Sequence, residues 1–228
     1  MNDSLRLLLV LPIFFTACTT LALGPISQPE EDERPRGLRE TLAQGAVTAT
    51  RQAATPDGFL QHDAIRIPLP PDAQRVERAL RQMGLGSEVD RAVRAINRGA
   101  EQAAAEARPI FLQAIREITF LDALAILRGE EDAATAYLRR TTEDTLTERF
   151  RPIIHDALAQ TGATRIYGDI ARAYNAVPLT GRTIDPDLTG YVTSKAMDGL
   201  FHLIAQEEAR IRTDPLARTT RAMRQIFQ

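Results

Sequence analysis

The stretch PDLTGYVTSKAMDGLFHLIAQEEARIR, residues 186–212, decides the fold class. At 100° per residue, Leu188, Val192, Ala196, Gly199, Leu200, Leu203, Ile204 and Ile211 share one side of a helix, with Met197 and Phe201 widening it. That apolar arc exceeds half the circumference, whereas a surface helix needs a stripe only about 100° wide. The spacing therefore predicts one long helix over 186–212 with neighbours on several sides. Asp185 suits its N-cap, Pro186 the first helical position and Asp187 the positive end of the dipole. Thr213-Asp214-Pro215 marks the far end.

Outward from this helix the same period recurs. Residues 38–54 place Leu38, Leu42, Ala46, Ala49 and Ala53 at helical spacing, weakened by Gly45. A short helix over 72–83 is broken by Gly84-Leu85-Gly86. Ser87 with Asp90 resembles a capping box for the next helix, whose stripe is Val89, Val93, Ile96 and Ala100. Ala103, Ala104 and Ala107 give it a small-residue face, and Pro109 must kink or restart it before Ile110, Phe111 and Ile115. Thr119-x-x-Asp122 caps a further short helix that Gly129 ends. Helices over 132–140 and 142–160 follow, the second interrupted near Pro152 and closed by Gly162. A shorter one spans 164–174, residues 177–183 read as a loop, and a last helix begins at Asp214-Pro215 with Leu216, Met223, Ile226 and Phe227.

One segment departs from the helical pattern. Pro56-Asp57-Gly58 is a turn, and in residues 59–71 Ile65, Ile67 and Leu69 alternate while Pro68, Pro70 and Pro71 exclude a helix. The same prolines bar a central strand. The expected architecture is all-α: a single globular multi-helix bundle of eight or nine helices, with an extended proline-rich strap near its N-terminal end.

The chain has 228 residues, 44% hydrophobic and 25% charged, which suits a folded domain and argues against wholesale disorder. Its net charge of −2 supplies no basic surface for nucleic acid, so no nucleic-acid partner is expected. Residues 1–24 have the form of an export signal: Arg6, an apolar run over 7–15, then small residues. The run is shorter than the roughly 20 residues that span a bilayer. Phe15-Thr16-Ala17-Cys18 resembles a lipobox, in which the cysteine is acylated and becomes the new amino terminus, although Phe15 departs from the usual aliphatic residue. Alternatively, cleavage after Ala22 releases a soluble protein. Cys18 is the only cysteine, so neither an intramolecular disulfide nor a cysteine metal site is available. Residues 25–36, with their acidic run Glu30-Glu31-Asp32-Glu33, read as a flexible tether, and 37–228 as the helical domain.

Chemistry-bearing residues cluster on the central helix. Tyr191, Lys195, Asp198 and His202 fall within an arc of about 60° beside the apolar face, a row that could transfer protons or hold an anion. The plainer reading is a solvated flank steadied by pairs three and four residues apart, worth a few tenths of a kcal/mol each. Glu207 projects into the apolar arc, where a carboxylate must be paired or protonated. It is a candidate binding residue, organising an anion or substrate pocket with a cation such as Arg66, Arg98 or Arg139, or else part of a salt link between helices or of a helix end emerging into solvent. Asp57 and Arg66, on the turn and strap, form a second candidate binding region. His62, His155 and His202 lack metal-ligand spacing, and Asp198 with His202 supplies too few ligands, so neither metal nor cofactor is expected. No Gly-x-Ser-x-Gly elbow and no phosphate-cradling loop is present in the sequence.

Several blocks occur in one order along the chain: Pro56-Asp57-Gly58-Phe59-Leu60, Ile65-Arg66-Ile67-Pro68-Leu69-Pro70, Asn97-Arg98, Ala107-Arg108-Pro109-Ile110-Phe111 and Asp132-Ala133-Ala134-Thr135. Tyr191-Val192-Thr193, Lys195-Ala196-Met197-Asp198-Gly199-Leu200-Phe201, Glu207-Glu208 and Arg218-Thr219-Thr220 follow. Together they resemble the bacterial family catalogued as domain of unknown function 4197. The resemblance implies a helical, exported, often lipoprotein-like protein of Gram-negative bacteria, and no assigned activity or functional residue.

The expectation from sequence is an envelope component with a binding or structural role, anchored through Cys18 on the periplasmic side of a membrane. Thr19 after the cysteine favours the outer membrane, and the soluble periplasm is the other location. Its partner would be an envelope protein or an apolar small molecule. The alternatives are an enzyme using the Tyr191, Lys195, Asp198 and His202 row, and a carrier whose apolar face lines a cavity.

Overall fold

A computed structural model describes residues 33–176, 183 and 185–226. The expected export signal with Cys18 and most of the expected tether lie outside the described residues, as does nearly all of the expected loop at 177–183. Among the described residues the structure is all-α, with helices α1 (Glu33–Ala54), α2 (Gln74–Gln82), α3 (Gly86–Ala105), α4 (Ala107–Arg116), α5 (Phe120–Arg128), α6 (Ala133–Gln160), α7 (Ala163–Asn175), α8 (Leu188–Thr213) and α9 (Arg221–Ile226). Three-residue 3-10 turns precede α2 and follow α8, at Pro71–Ala73 and Pro215–Ala217.

Helix α8 packs against α1, α3, α6 and α7, which is why its apolar arc is so broad. Every residue of that arc is buried, from Leu188 and Val192 through Leu200, Phe201, Leu203 and Ile204 to Ile211. Phe201 meets Phe111 of α4 edge to face, ring centroids 5.7 Å apart. The small residues expected to pack closely, Ala103, Ala104 and Ala107, are fully buried, and α3 meets α6 through Gly99, where a Cβ would lie 3.2 Å from Ala157 Cβ. Backbones approach closely there because little stands between them.

Several element boundaries differ from the sequence reading. Helix α1 starts at Glu33, so residues 33–36, expected in the tether, are helical. The N-cap of α8 is Asp187, whose Oδ1 accepts the Gly190 N–H at 2.8 Å, while Asp185 bonds the N–H of Asp187 from outside the helix. Ser87 caps nothing: α3 begins one residue before it, and its expected box partner Asp90 is drawn 2.9 Å from Arg81 of α2 instead.

The two helices expected over 132–140 and 142–160 are one, α6, of 28 residues. At the expected boundary the threonine hydroxyls turn back onto the helix, Thr141 to Tyr137 O at 2.9 Å and Thr142 to Leu138 O at 2.6 Å. Pro152 does not interrupt it either. The proline lies on the exposed side, where water can serve the carbonyl that loses its N–H partner, while Leu146, Phe150, Ile154 and Leu158 hold the opposite side in the core.

Candidate functional site

The strap lies on α3 and α8, and buried polar side chains hold it there. Its first half is a series of turns opening at Asp57, which adopts a left-handed backbone with φ of 66°. Asn97 of α3, fully buried, accepts the Ile67 N–H at 2.9 Å and donates to Ile67 O at 2.8 Å. Glu101, one helical turn on, accepts the N–H groups of Phe59 and Leu60 at 3.3 and 3.4 Å. Arg98 closes this network, 2.6 Å from Glu101 and 2.8 Å from Asp57. Its hydrogen bond to Glu101 outweighs desolvation and raises the guanidinium above its ordinary value. Every buried backbone group that a strand or helix would have satisfied needs a partner, and these side chains supply them.

Gly199 is what lets the strap lie against α8. A Cβ there would stand 2.7 Å from Phe59 Cε1 and 3.0 Å from Ile65 Cβ, and both neighbours are buried. With Ile65 and Ile67 turned into the core, Arg66 between them stays exposed on the outer side.

Between strap and helix runs a groove of about 250 Å³. It is lined by Arg66 and Ile65 from the strap and by Lys195, Asp198, Gly199 and His202 from α8. Three of the four row residues and one residue of the second candidate region thus meet at one place. Lys195 Nζ lies 3.2 Å from Asp198 Oδ2, and Arg139 of α6 lies 3.4 Å from Asp198 Oδ1 while stacking over Phe201. His202 Nε2 is 3.0 Å from the Gln206 amide.

Tyr191 does not join them. Its hydroxyl donates to Pro68 O at 3.3 Å, and burial pushes the phenol above its ordinary value. It therefore stays protonated at neutral pH and acts as a pin for the strap.

Asp57 is likewise structural in its contacts, engaged by Arg98. Glu207 is paired with neither Arg66, Arg98 nor Arg139. Its stem packs beside Gly45 of α1, and its carboxylate emerges to Arg210, 2.5 Å away. The more deeply buried carboxylate is its neighbour Glu208, which sequence reasoning passed over. Glu208 pairs with Arg212 at 2.8 Å and accepts the N–H groups of Ala134 and Thr135. Glu101 was missed as well; its signal was two polar residues, Asn97 and Glu101, four apart on an otherwise small and apolar face.

A second concavity is apolar. A cavity of about 110 Å³ lies between α2, α3 and α7, with Leu69, Val76, Leu80, Ile96, Ile166 and Tyr167 among its walls. Burial, ahead of the nearby charges of Asp72 and Asp185, pushes the Tyr167 phenol up to about 12. Among the described residues no three His, Cys, Asp or Glu side chains converge as metal ligands, and no helix is long and apolar enough to cross a membrane.

The model of the family described as "Protein of unknown function (DUF4197)" matches residues 28–228. The chain belongs to this family. No curated protein and no solved structure matches it. In this DUF4197 chain the blocks that carried the resemblance are distant in sequence yet adjacent in space. The strap block at 65–70 lies over the α8 block at 195–201, Asn97 bonds the first of them, and the turn at 56–60 is held by Arg98 and Glu101.

Proposed function

We propose that this protein is an exported, lipid-anchored binding component of the Gram-negative envelope, whose ligand enters the groove between the strap and α8. The observation that carries the reading is the convergence of Arg66, Lys195, Asp198 and His202 on that groove, with the strap fixed from beneath by Asn97 and Glu101. Recognition is favoured when the recognising groups are already ordered, because less side-chain and loop entropy is then lost on binding. Catalysis by the row is the weaker reading, since Tyr191 is engaged with Pro68 O and His202 with Gln206. The anchored, periplasm-facing location rests on residues 1–24 and Cys18, with Thr19 favouring the outer membrane.

The test is a photo-crosslinking amino acid placed at position 64, exposed on the strap at the groove, in cells producing the chain, with position 149, exposed on α6, as control. A discrete adduct formed only from the groove position, and lost on replacing Lys195 and His202 by alanine, supports the reading. Equal adducts from the control position would defeat it. The intact mass of the mature protein tests the anchor, which requires a chain starting at an acylated Cys18.

The cavity beneath α2 supports a second reading, carriage of an apolar ligand. Native mass spectrometry of the gently purified protein discriminates, since a carrier retains a hydrocarbon ligand even after Arg66 and Lys195 of the groove are replaced by alanine, whereas a groove ligand is lost.

A further inference from the structure

The groove beside α8 carries more positive charge than its carboxylate balances. Asp198 is shared between Lys195 and Arg139, and Arg139 also faces Glu143 at 3.5 Å. Arg66 stands opposite with no ion pair or side-chain hydrogen bond among the described residues. Three cations therefore meet two carboxylates. The Arg66 backbone is fixed on both sides, by its own N–H on His62 O at 2.9 Å and by the Asn97 bond to Ile67.

We infer that the groove binds a phosphate monoester. This deepens the binding reading above and rests on it. A guanidinium forms a planar fork that takes two oxygens of an oxyanion, which suits carboxylate and phosphate alike. The groove offers two more donors from a different element, the Lys195 ammonium and the His202 imidazole, whose Nε2 takes the Gln206 amide N–H and so leaves the proton on Nδ1. A planar carboxylate has no third oxygen for them, whereas a tetrahedral phosphate has. Asp198 is placed to accept a hydroxyl from the rest of the ligand, which a glycerol or sugar phosphate provides. The phosphate could belong to a free small molecule or to a lipid headgroup.

The probe is radiolabelled sn-glycerol 3-phosphate, measured by equilibrium dialysis against the purified mature protein in mild detergent. Saturable binding is expected, with Arg66→Ala and Lys195→Ala each weakening it about tenfold or more and Arg66→Lys restoring only part. The melting temperatures of these variants should match that of the parent, since both side chains are exposed. Displacement by dihexanoyl phosphatidic acid at much lower concentration than by unlabelled glycerol phosphate assigns the phosphate to a lipid headgroup; equal displacement assigns it to a soluble ester. The proposal is overturned by non-saturable binding, by displacement with acetate as effective as with phosphate, or by binding unchanged in both alanine variants. Such a result alongside groove-specific crosslinking would remove the phosphate and leave the binding reading standing.

Discussion

Glu208 of α8 closes the N-terminus of α6 from 73 residues away, its Oε2 accepting both the N–H and the hydroxyl of Thr135 at 2.8 Å. The first N–H groups of a helix have no partner within it, and their dipole attracts negative charge. Here the cap of one helix is a side chain of another, so capping and tertiary packing are one interaction. Arg212, whose side chain is 19% exposed, balances the charge.

Glu208→Ala is expected to destabilise the fold by about 3 kcal/mol, because it leaves the N–H groups of Ala134 and Thr135 and the Arg212 guanidinium without their carboxylate. Glu208→Gln keeps an acceptor for Thr135 and should cost about half as much. Urea unfolding of the two variants checks the order; an alanine variant as stable as the parent would refute the capping role.

Asn97→Ala removes both bonds that hold Ile67 of the strap, along with an anchor on Val93 O at 2.8 Å. A loss of about 2 kcal/mol follows from leaving those backbone groups buried and unpaired. The specific readout is hydrogen exchange: the Ile67 amide should lose protection by more than amides at the centre of α6. A uniform loss across the molecule would mean that Asn97 supports the core rather than the strap.

Two glycines predict opposite signs. A methyl on Gly199 would press on Phe59 and Ile65, so Gly199→Ala should destabilise by about 2 kcal/mol and shift the strap away from the groove. At Gly45 in α1, the added Cβ would meet Glu207 Cβ at 3.5 Å and Ile211 Cδ1 at 3.9 Å, ordinary contacts. Gly45→Ala should therefore stabilise by up to about 1 kcal/mol through helix propensity. Thermal unfolding of the pair in parallel decides both.

The N-cap Asp187 predicts a pH dependence. Burial pushes its carboxyl upward, but the Gly190 N–H and Arg151 together outweigh that and set it below the ordinary value. A carboxyl whose folded value lies below its unfolded one, about 3.9, contributes stability that is present above the unfolded value and lost as pH falls through the folded one. Asp187→Asn should then lower stability at pH 6, with the deficit shrinking as pH drops below about 4. A deficit independent of pH would show that the charge plays no part.

Much of this architecture was readable in advance because it is written in local periodicity. The helical class, the α8 arc, the Thr119–Asp122 capping box and the helix break at Gly84 each depend on residues within a few positions of one another. The failures share a cause too. Asp90 could have capped its own helix, but a cation nine residues back competed for it. Thr142 could have started a helix, but it lies within a continuous buried stripe, Leu138, Thr142, Leu146 and Phe150, that kept α6 whole.

The same division holds for the candidate site. Lys195, Asp198 and His202 share a face by helical geometry alone, so their association was legible from spacing. That Arg66 stands opposite them, that Tyr191 turns to Pro68, and that Glu208 rather than Glu207 is the deeply buried carboxylate were decided by where the strap and α6 come to rest. Sequence by itself determined the helices and their apolar faces, because backbone hydrogen bonding and side-chain periodicity act within a few residues. The tertiary structure alone decided which distant groups meet, because bonds such as Asn97 to Ile67, Glu208 to Ala134 and Tyr191 to Pro68 need partners 30, 74 and 123 residues apart brought to within about 3 Å.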